Sequence, residues 1–277
     1  MDDRPTLLMS IDYEDWHQLV RRRVGANNWS EPGPALARQT RALLELLDEL
    51  HVRATFFILG MTARAHPELV KAVTQRGHEI ACHGDEHLPV YSQTPEAFAA
   101  DLEAARATIE QLTGVCPLGY RAPAFSITDW AYDVLESQGF AYDASQLLRG
   151  RGAPTASLRE FPVAVWRSPL RTIPVGGASY WAVLPRRWVL HGLRQAGQLA
   201  GLYLHPQELD PEPLRAGATG TSAVQQLHAA FRAAQRNSAR RGAPAMLRAI
   251  AERFRLIPYG EAYASLSTGA RPQPVQR

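Results

Sequence analysis

The sequence predicts a parallel α/β fold. Three observations carry that expectation. Short apolar runs alternate with helical stretches through the first half, the strand–helix units have the length of crossover connections, and several apolar runs end in titratable side chains. Ligands of parallel α/β folds bind at the carboxyl ends of strands, so the third observation also points to a site. Periodicity leaves open whether the sheet closes into a barrel.

Leu7 to Ile11 reads as a buried strand that runs into acids. Ala35 to Leu50 places Leu36, Leu43, Leu44, Leu47 and Leu50 at helical spacing. Ala54 to Leu59 is a second buried strand, closed by Gly60. Pro67 to Arg76 is a short helix with Gly77 as its stop, and His78 to Cys82 is a third strand. Thr94, with Pro95 behind it, caps a long helix to about Leu112. Gly119 to Arg121 is a short strand, Asp129 to Gln138 a helix ended by Gly139, and Phe140 to Tyr142 another strand. Arg149 to Pro185 is rich in Gly and Pro and reads as loops with short strands. Leu202 to His205 is a strand, Ala223 to about Ala239 and Pro244 to Phe254 are helical, and Arg255 to Pro258 is a last strand. No repeat or linker divides the chain, so a single domain over residues 1–266 is expected, with a disordered polar tail at 267–277.

The 277 residues can bury a large core, and a hydrophobic fraction of 45% with 21% charged residues excludes a disordered chain. Cys82 and Cys116 make neither a disulfide framework nor a CxxC pair; both read as small buried residues. No stretch has the length of a signal or spanning segment, which predicts a cytoplasmic protein. The net charge of +3 comes from arginine, since Lys71 is the only lysine. Arg21 to Arg23, and Arg236 with Arg240 and Arg241, form local clusters. The ordinary reading of such runs is a solvated face; the alternative is recognition of an anionic polymer, an acidic glycan or a membrane surface. No nucleic-acid-binding pattern accompanies them, so nucleic acid is not an expected partner.

Four strand ends carry the chemistry. Asp12, Glu14 and Asp15 follow the first strand, in a segment that a solvated turn with a helix cap explains equally well. His83 and His87 follow the third strand; four apart, they share a face if the segment turns helically, as a divalent metal needs. An acid with two histidines leaves coordination positions open for water and substrate. Arg121, locked by Pro123, can pair with a carboxylate and hold it ionised. His205 ends Leu202-Tyr203-Leu204. A lone strand-terminal histidine is more often structural than catalytic and a lone HxxxH is a weak signal; the set is specific.

In order, Asp12-x-Glu14-Asp15, His83-x-x-x-His87, Arg121-x-Pro123 and Leu204-His205-Pro206 resemble the successive motifs of NodB-like polysaccharide deacetylases, carbohydrate esterase family 4. The resemblance extends to Ala54–Gly60, Arg76–Ile80 and Gly119–Ile127, and covers about residues 6 to 260. His205-Pro206-x-Glu208-x-Asp210-Pro211 resembles the branch found with exosortase-linked exopolysaccharide loci. The resemblance implies a distorted (β/α) barrel and metal-dependent removal of N-acetyl groups from the amino sugars of a polysaccharide, with Zn²⁺ as the expected metal. It makes Asp12 the general base, His83 and His87 metal ligands, Arg121 the residue that orients and ionises the base, and His205 the general acid. Peripheral association with membrane-bound biosynthetic machinery is compatible with such a substrate.

Departures from the family pattern matter. Asp12-Tyr13-Glu14-Asp15 replaces two adjacent acids, so the third ligand is Glu14 or Asp15. Strand alternation puts Asp12 and Glu14 on one face, which favours Glu14. Arg121-Ala122-Pro123-Ala124 lacks the usual aromatic, leaving oxyanion stabilisation to the Ala124 backbone N–H. The Asp-x-x-Asp-Trp motif is absent, and Asp143 is the candidate support for His205. Trp16, His17, Pro123, Phe125, Tyr180 and Trp181 are candidates to line a sugar groove, with ordinary packing the competing explanation for the aromatics. Two rival functions remain: opening of cyclic amides of the allantoin type on the same fold, and a catalytically inactive glycan-binding module.

Overall fold

The computed structural model describes residues 3–147, 157–168, 171–240 and 242–267. The expected tail beyond Ser267, the cluster residue Arg241 and part of the expected loop region lie outside them. The chain runs through β1 (Thr6–Tyr13), α1 (Trp16–Arg23), α2 (Leu36–Glu49), β2 (Thr55–Ile58), α3 (Gly60–Ala65), α4 (Pro67–Gln75), β3 (Glu79–Cys82), α5 (Pro95–Thr113), β4 (Gly119–Tyr120), α6 (Asp129–Ser137) and β5 (Tyr142–Asp143). There follow β6 (Arg159–Glu160), β7 (Val165–Arg167), β8 (Thr172–Pro174), α7 (Ala178–Trp181), α8 (Arg186–Ala196), β9 (Gly201–Leu204), α9 (Ala223–Arg240), α10 (Ala243–Ala251), β10 (Arg255–Ile257) and α11 (Tyr259–Ser267). Among the described residues no helix is long and apolar enough to cross a membrane.

Strands lie in the order β10-β1-β2-β3-β4-β5-β6, with β9 also on β1, and every pairing in this sheet is parallel. The sheet curls into a half-barrel surrounded by helices, the form of the expected distorted barrel. Its gap is bridged where Gly201 N–H donates to Pro162 O and accepts, through its carbonyl, from Ala164 N–H, each at 2.8 Å. β9 and β10, from the second half, both pair with β1, so the two halves share one sheet.

Alternation along β1 sorts its side chains. Leu7, Met9, Ile11 and Tyr13 face outward into the largest core cluster, against α2, α8 and α10. Leu8 faces inward with Phe57, Ala81, Tyr142 and Ile257, and Ser10 and Asp12 continue that inner face toward the strand's end. Fully burying one such Leu or Phe is worth roughly 1.5–3 kcal/mol. The outer layer therefore carries much of the stability, and the inner face is free to be polar. Register does the rest. Tyr13, Ile58, Cys82 and Tyr120 are paired across adjacent strands, so the next residue on each strand, including Glu14, His83 and Arg121, emerges in one layer at the barrel mouth.

Five helices differ from expectation. α1 follows acids for which a helix cap is one reading, α3 begins at the Gly60 expected to close β2, α7 lies within the Gly/Pro-rich stretch and α8 just past it, and α11 occupies the approach to the expected tail. Arg21 is no solvated cation: it is buried, and its Nε–H donates to Ala216 O at 2.9 Å.

Candidate metal centre and active-site cleft

At the barrel mouth three imidazoles converge on one carboxylate. Glu14 Oε1 lies 3.4 Å from His87 Nε2, 3.5 Å from His83 Nε2 and 3.6 Å from His205 Nε2. Two overlapping donor sets result, Glu14–His83–His87 and Asp12–Glu14–His205. A tetrahedral zinc with bonds of about 2.0–2.1 Å spaces its ligand atoms by about 3.3 Å, which the first set approaches. His83 Nδ1 lies 2.8 Å from Arg121 O, a carbonyl that can only accept, so Nδ1 carries the proton and Nε2 is left as a lone pair. That Nε2 is buried and has no hydrogen-bond partner in the protein. An orphaned imidazole lone pair aimed at a carboxylate fits a cation. Burial opposes the Glu14 charge, but His87, His83 and His205 outweigh it and hold the carboxyl well below its usual range.

The two histidines do not meet through a helical turn, as their spacing predicted. The segment after β3 is a loop in which Gly84 has φ +83° and His87 φ +58°. A Cβ on Gly84 would lie 2.8 Å from Asp101 Oδ2, the atom that accepts from Asp85 N–H at 2.9 Å. Arg64 clamps Asp85 from the other side at 2.7 and 2.8 Å. Left-handed backbone at a non-glycine residue is costly, and here the surrounding contacts hold His87 in it.

Asp15 is not among the converging residues. It caps α1, accepting from His17 N–H at 2.9 Å and also from Gly33 N–H, with His66 Nε2 3.6 Å away. Alternation turned Glu14 to the mouth and its neighbour to the helix. His17 is buried against Asp15 rather than in a groove.

Asp12 Oδ1 accepts from Arg121 at 2.6 Å, while Oδ2 lies 4.0 Å from His205 Nε2. Arg121 is fully buried, donates also to Ser10 Oγ, Ala144 O and Tyr259 Oη, and stacks over Phe57 with its guanidinium carbon 4.1 Å from the ring centre. His205 is supported by Glu208, not by Asp143. Glu208 Oε2 accepts the His205 backbone N–H at 2.9 Å and lies 3.4 Å from its Nδ1. Glu208 Oε1 in turn accepts from Ser179 Oγ at 2.8 Å and faces Arg236 at 3.7 Å. Asp143 instead hydrogen-bonds Ser145 inside the barrel.

Above these groups opens a cleft of about 560 Å³. One wall is α1, with Trp16, Leu19, Val20, Arg22 and Arg23; the β3 loop adds His87, Pro89 and Tyr91. The other side is Ala124, Phe125, Tyr203, His205, Gln207 and Ser179, with Arg232 and Arg236 from α9. Of the expected groove residues, Trp16 and Phe125 line the cleft. Pro123 is buried beneath it, Tyr180 stands beside rather than in it, and Trp181 is core, its indole N–H donating to Val175 O. Ala124 and Phe125 both have positive φ, +52° and +56°, and the Ala124 N–H has no acceptor among the described residues. Tyr203 and Glu208 were missed. Alternation from His205 identifies Tyr203 as inward-facing, and Glu208 sits at the third position of a helical turn that His205 opens.

The polysaccharide deacetylase family model matches residues 31–142, and a domain of unknown function (DUF3473) matches residues 137–246. Residues 31–142 thus match a polysaccharide deacetylase domain, the NodB-like, carbohydrate esterase family 4 type that the order of motifs resembles. It is 35% identical over 105 residues to a peptidoglycan deacetylase-like protein of Gibberella zeae, covering 37% of this chain and 31% of that one. It is 31% identical over 129 residues to a peptidoglycan-N-acetylglucosamine deacetylase of Bacillus cereus, covering 46% and 59%. The chain thus spans a third to about three-fifths of the length of these relatives. In fold it resembles a Mycobacterium smegmatis structure provisionally assigned as a polysaccharide deacetylase, with a TM-score of 0.63 at 22% identity over 100% of this chain and 96% of that one. A CE4 family pseudoenzyme of Bacillus anthracis shares the fold at a TM-score of 0.53 and 12% identity, covering 95% and 66%.

Proposed function

We propose that this protein is a metal-dependent hydrolase that removes N-acetyl groups from amino sugars of an exopolysaccharide, working as one domain through residues 1–266. The observation that carries the reading is the convergence of three histidine Nε2 atoms within 3.6 Å of Glu14 Oε1, beside an Asp12 already clamped by Arg121. Because a pseudoenzyme shares this fold, likeness alone does not argue for catalysis; the presence of base, acid and a full ligand set supports it. Peptidoglycan deacetylases among the relatives support the N-acetyl amino-sugar class, and the His205-Pro206-x-Glu208 motif supports an exopolysaccharide.

Glu14, His83 and His87 would hold the cation, with Zn²⁺ the proposed ion for a nitrogen-rich set. When bound, it supplies Lewis-acid polarisation and lowers the pKa of a water to roughly 7. Asp12 takes the water's proton at Oδ2, because Oδ1 is engaged by Arg121. The Ala124 N–H, which has no acceptor among the described residues, donates to the developing oxyanion, an interaction worth on the order of 10²–10³ in rate. His205, its Nδ1 side held by Glu208, delivers a proton from Nε2 to the leaving nitrogen. Acetate and a free amino sugar result. Two free thiols are consistent with the cytoplasm as the proposed compartment.

Acetate release from N-acetylglucosamine oligomers, with metal analysis, tests this. Asp12→Asn should lower the rate by 10²–10⁴ while leaving the fold intact, the range of a lost general base. His83→Ala should abolish stoichiometric metal. Full activity in metal-stripped His83→Ala protein ends the account.

A further inference from the structure

The rim of the cleft carries a charge that deacetylation itself does not need. Arg22 and Arg23 on α1 and Arg232 and Arg236 on α9 line it, whereas the only carboxylates lining it among the described residues, Asp12 and Glu14, lie at the floor. Those two acids are already committed, Asp12 to Arg121 and Glu14 to the histidines. The α1 and α9 residues are held side by side by packing: Trp16, Val20 and Val24 form one apolar cluster with Ala229 and Ala233. Arg232 and Arg236, four apart, therefore follow the α9 face that meets α1, and all four arginines line the opening.

Their partners differ. Arg22 donates to Glu86 O at 2.7 Å and stands 3.5 Å from its carboxylate. Arg236 bonds Ser179 and faces Glu208. Arg23 and Arg232 are exposed and have no ion-pair partner among the described residues. Uncompensated like charges lining a cleft raise the local concentration of anions and repel cations. Guanidinium forks pair with carboxylates and ester oxyanions through two parallel hydrogen bonds, and such bonds are about twice as strong as neutral ones.

We propose that the cleft binds an anionic glycan, an N-acetylated amino-sugar polymer with a carboxylate or an ester oxyanion on sugars flanking the N-acetyl group. This deepens the deacetylase reading and rests on it for the identity of the reacting group. Arg23 and Arg232 are the anion-reading residues. Arg236 is shared, since it also braces the Glu208 that orients His205.

Calorimetric binding tests the charge preference independently of turnover. The probes are oligosaccharides of alternating glucuronate and N-acetylglucosamine, the same oligosaccharides with their carboxylates methyl-esterified, sulfated analogues, and chitin oligosaccharides of equal length. The acidic probes should bind at least tenfold more tightly than the esterified and chitin probes. That advantage should shrink as salt rises and collapse toward unity in Arg23→Ala/Arg232→Ala. The Arg23→Lys/Arg232→Lys variant should restore most of it, and unchanged thermal unfolding checks the fold of both. Preference for glucuronate over sulfated probes, or the reverse, identifies the anion. Equal affinity for acidic and esterified probes overturns the proposal, even if acetate is released. Acidic preference without acetate release from any probe upholds anion binding and overturns the deacetylase reading instead.

Discussion

At the floor of the cleft Asp12, Glu14, His83 and Arg121 are at most 7% exposed, and each is fixed by strand register and hydrogen bonds. At the rim Arg23 and Arg232 are exposed, sit on helices from opposite ends of the chain, and take their positions from packing of α1 on α9. The floor is built to hold one geometry, because an ion and a proton acceptor tolerate little error in position. Arg23 and Arg232 make no ion pair with the floor among the described residues, so their charge can change without moving it.

Glu14 and Asp15 bring the contrast into adjacent residues, and they give the largest expected effect. Glu14 belongs to the floor; Asp15 caps α1 and so supports the rim. Glu14→Ala should reduce metal retained after dialysis by at least tenfold, with the fold preserved, and abolish acetate release. Asp15→Ala should retain the metal and instead lower stability by about 0.5–2 kcal/mol, the usual cost of a lost N-cap. Metal content and thermal unfolding of both variants decide the matter. If Asp15→Ala loses its metal while Glu14→Ala keeps it, floor and rim have been assigned the wrong way round.

Floor and rim differed equally in how readily the sequence showed them. The apolar runs of β1, β2, β3 and β9 and the titratable groups that end them were legible because burial and a period of two mark both. Alternation alone separated Glu14 from Asp15. The His83–His87 pair was found by its spacing, but for a helical reason the backbone does not obey; Gly84, Asp101 and Arg64 shape that loop, and the latter two are distant in sequence. With the Asp-x-x-Asp-Trp motif absent, the sequence offers Asp143 as the support of His205. Glu208 was closer in both chain and space. The rim was least legible. Arg22 and Arg23 read as a charge run, and nothing local shows that α9, two hundred residues later, lies alongside them.

Glu208 joins the two regions, touching His205 below and Ser179 and Arg236 above. Glu208→Gln keeps the shape and removes the charge. Acetate release should fall by about 10- to 100-fold in kcat with little change in KM, the signature of an interaction needed in the transition state. Burial disfavours a charged His205, but Glu208, with Glu14 and Asp12, raises the ring to about 9. In metal-stripped protein followed by NMR, the His205 ring of Glu208→Gln should titrate below that of the wild type. A kcat loss without that change would make Glu208 a brace for the loop rather than for the proton.

The smallest effect tests whether position along one strand separates function from structure. His83 follows β3 at the mouth; His78 precedes it at the far end, its ring tilted against Phe56 with ring centres 5.0 Å apart and its Nδ1 accepting from Ala54 N–H. Desolvation lowers the His78 pKa to about 4, against an ordinary value of 6.5. Between those pH values the unfolded chain binds a proton that the folded chain refuses, so stability falls as pH is lowered through the window and is fully present above it. His78→Asn keeps an acceptor for Ala54 but cannot titrate. Its unfolding temperature should therefore drop less than that of the wild type between pH 7 and pH 4.5, by on the order of 2–4 °C. Metal content at pH 7 should be unchanged. Parallel pH profiles for the two proteins would show that His78 is free to protonate in the fold, and that the barrel's far end is as open to water as its mouth.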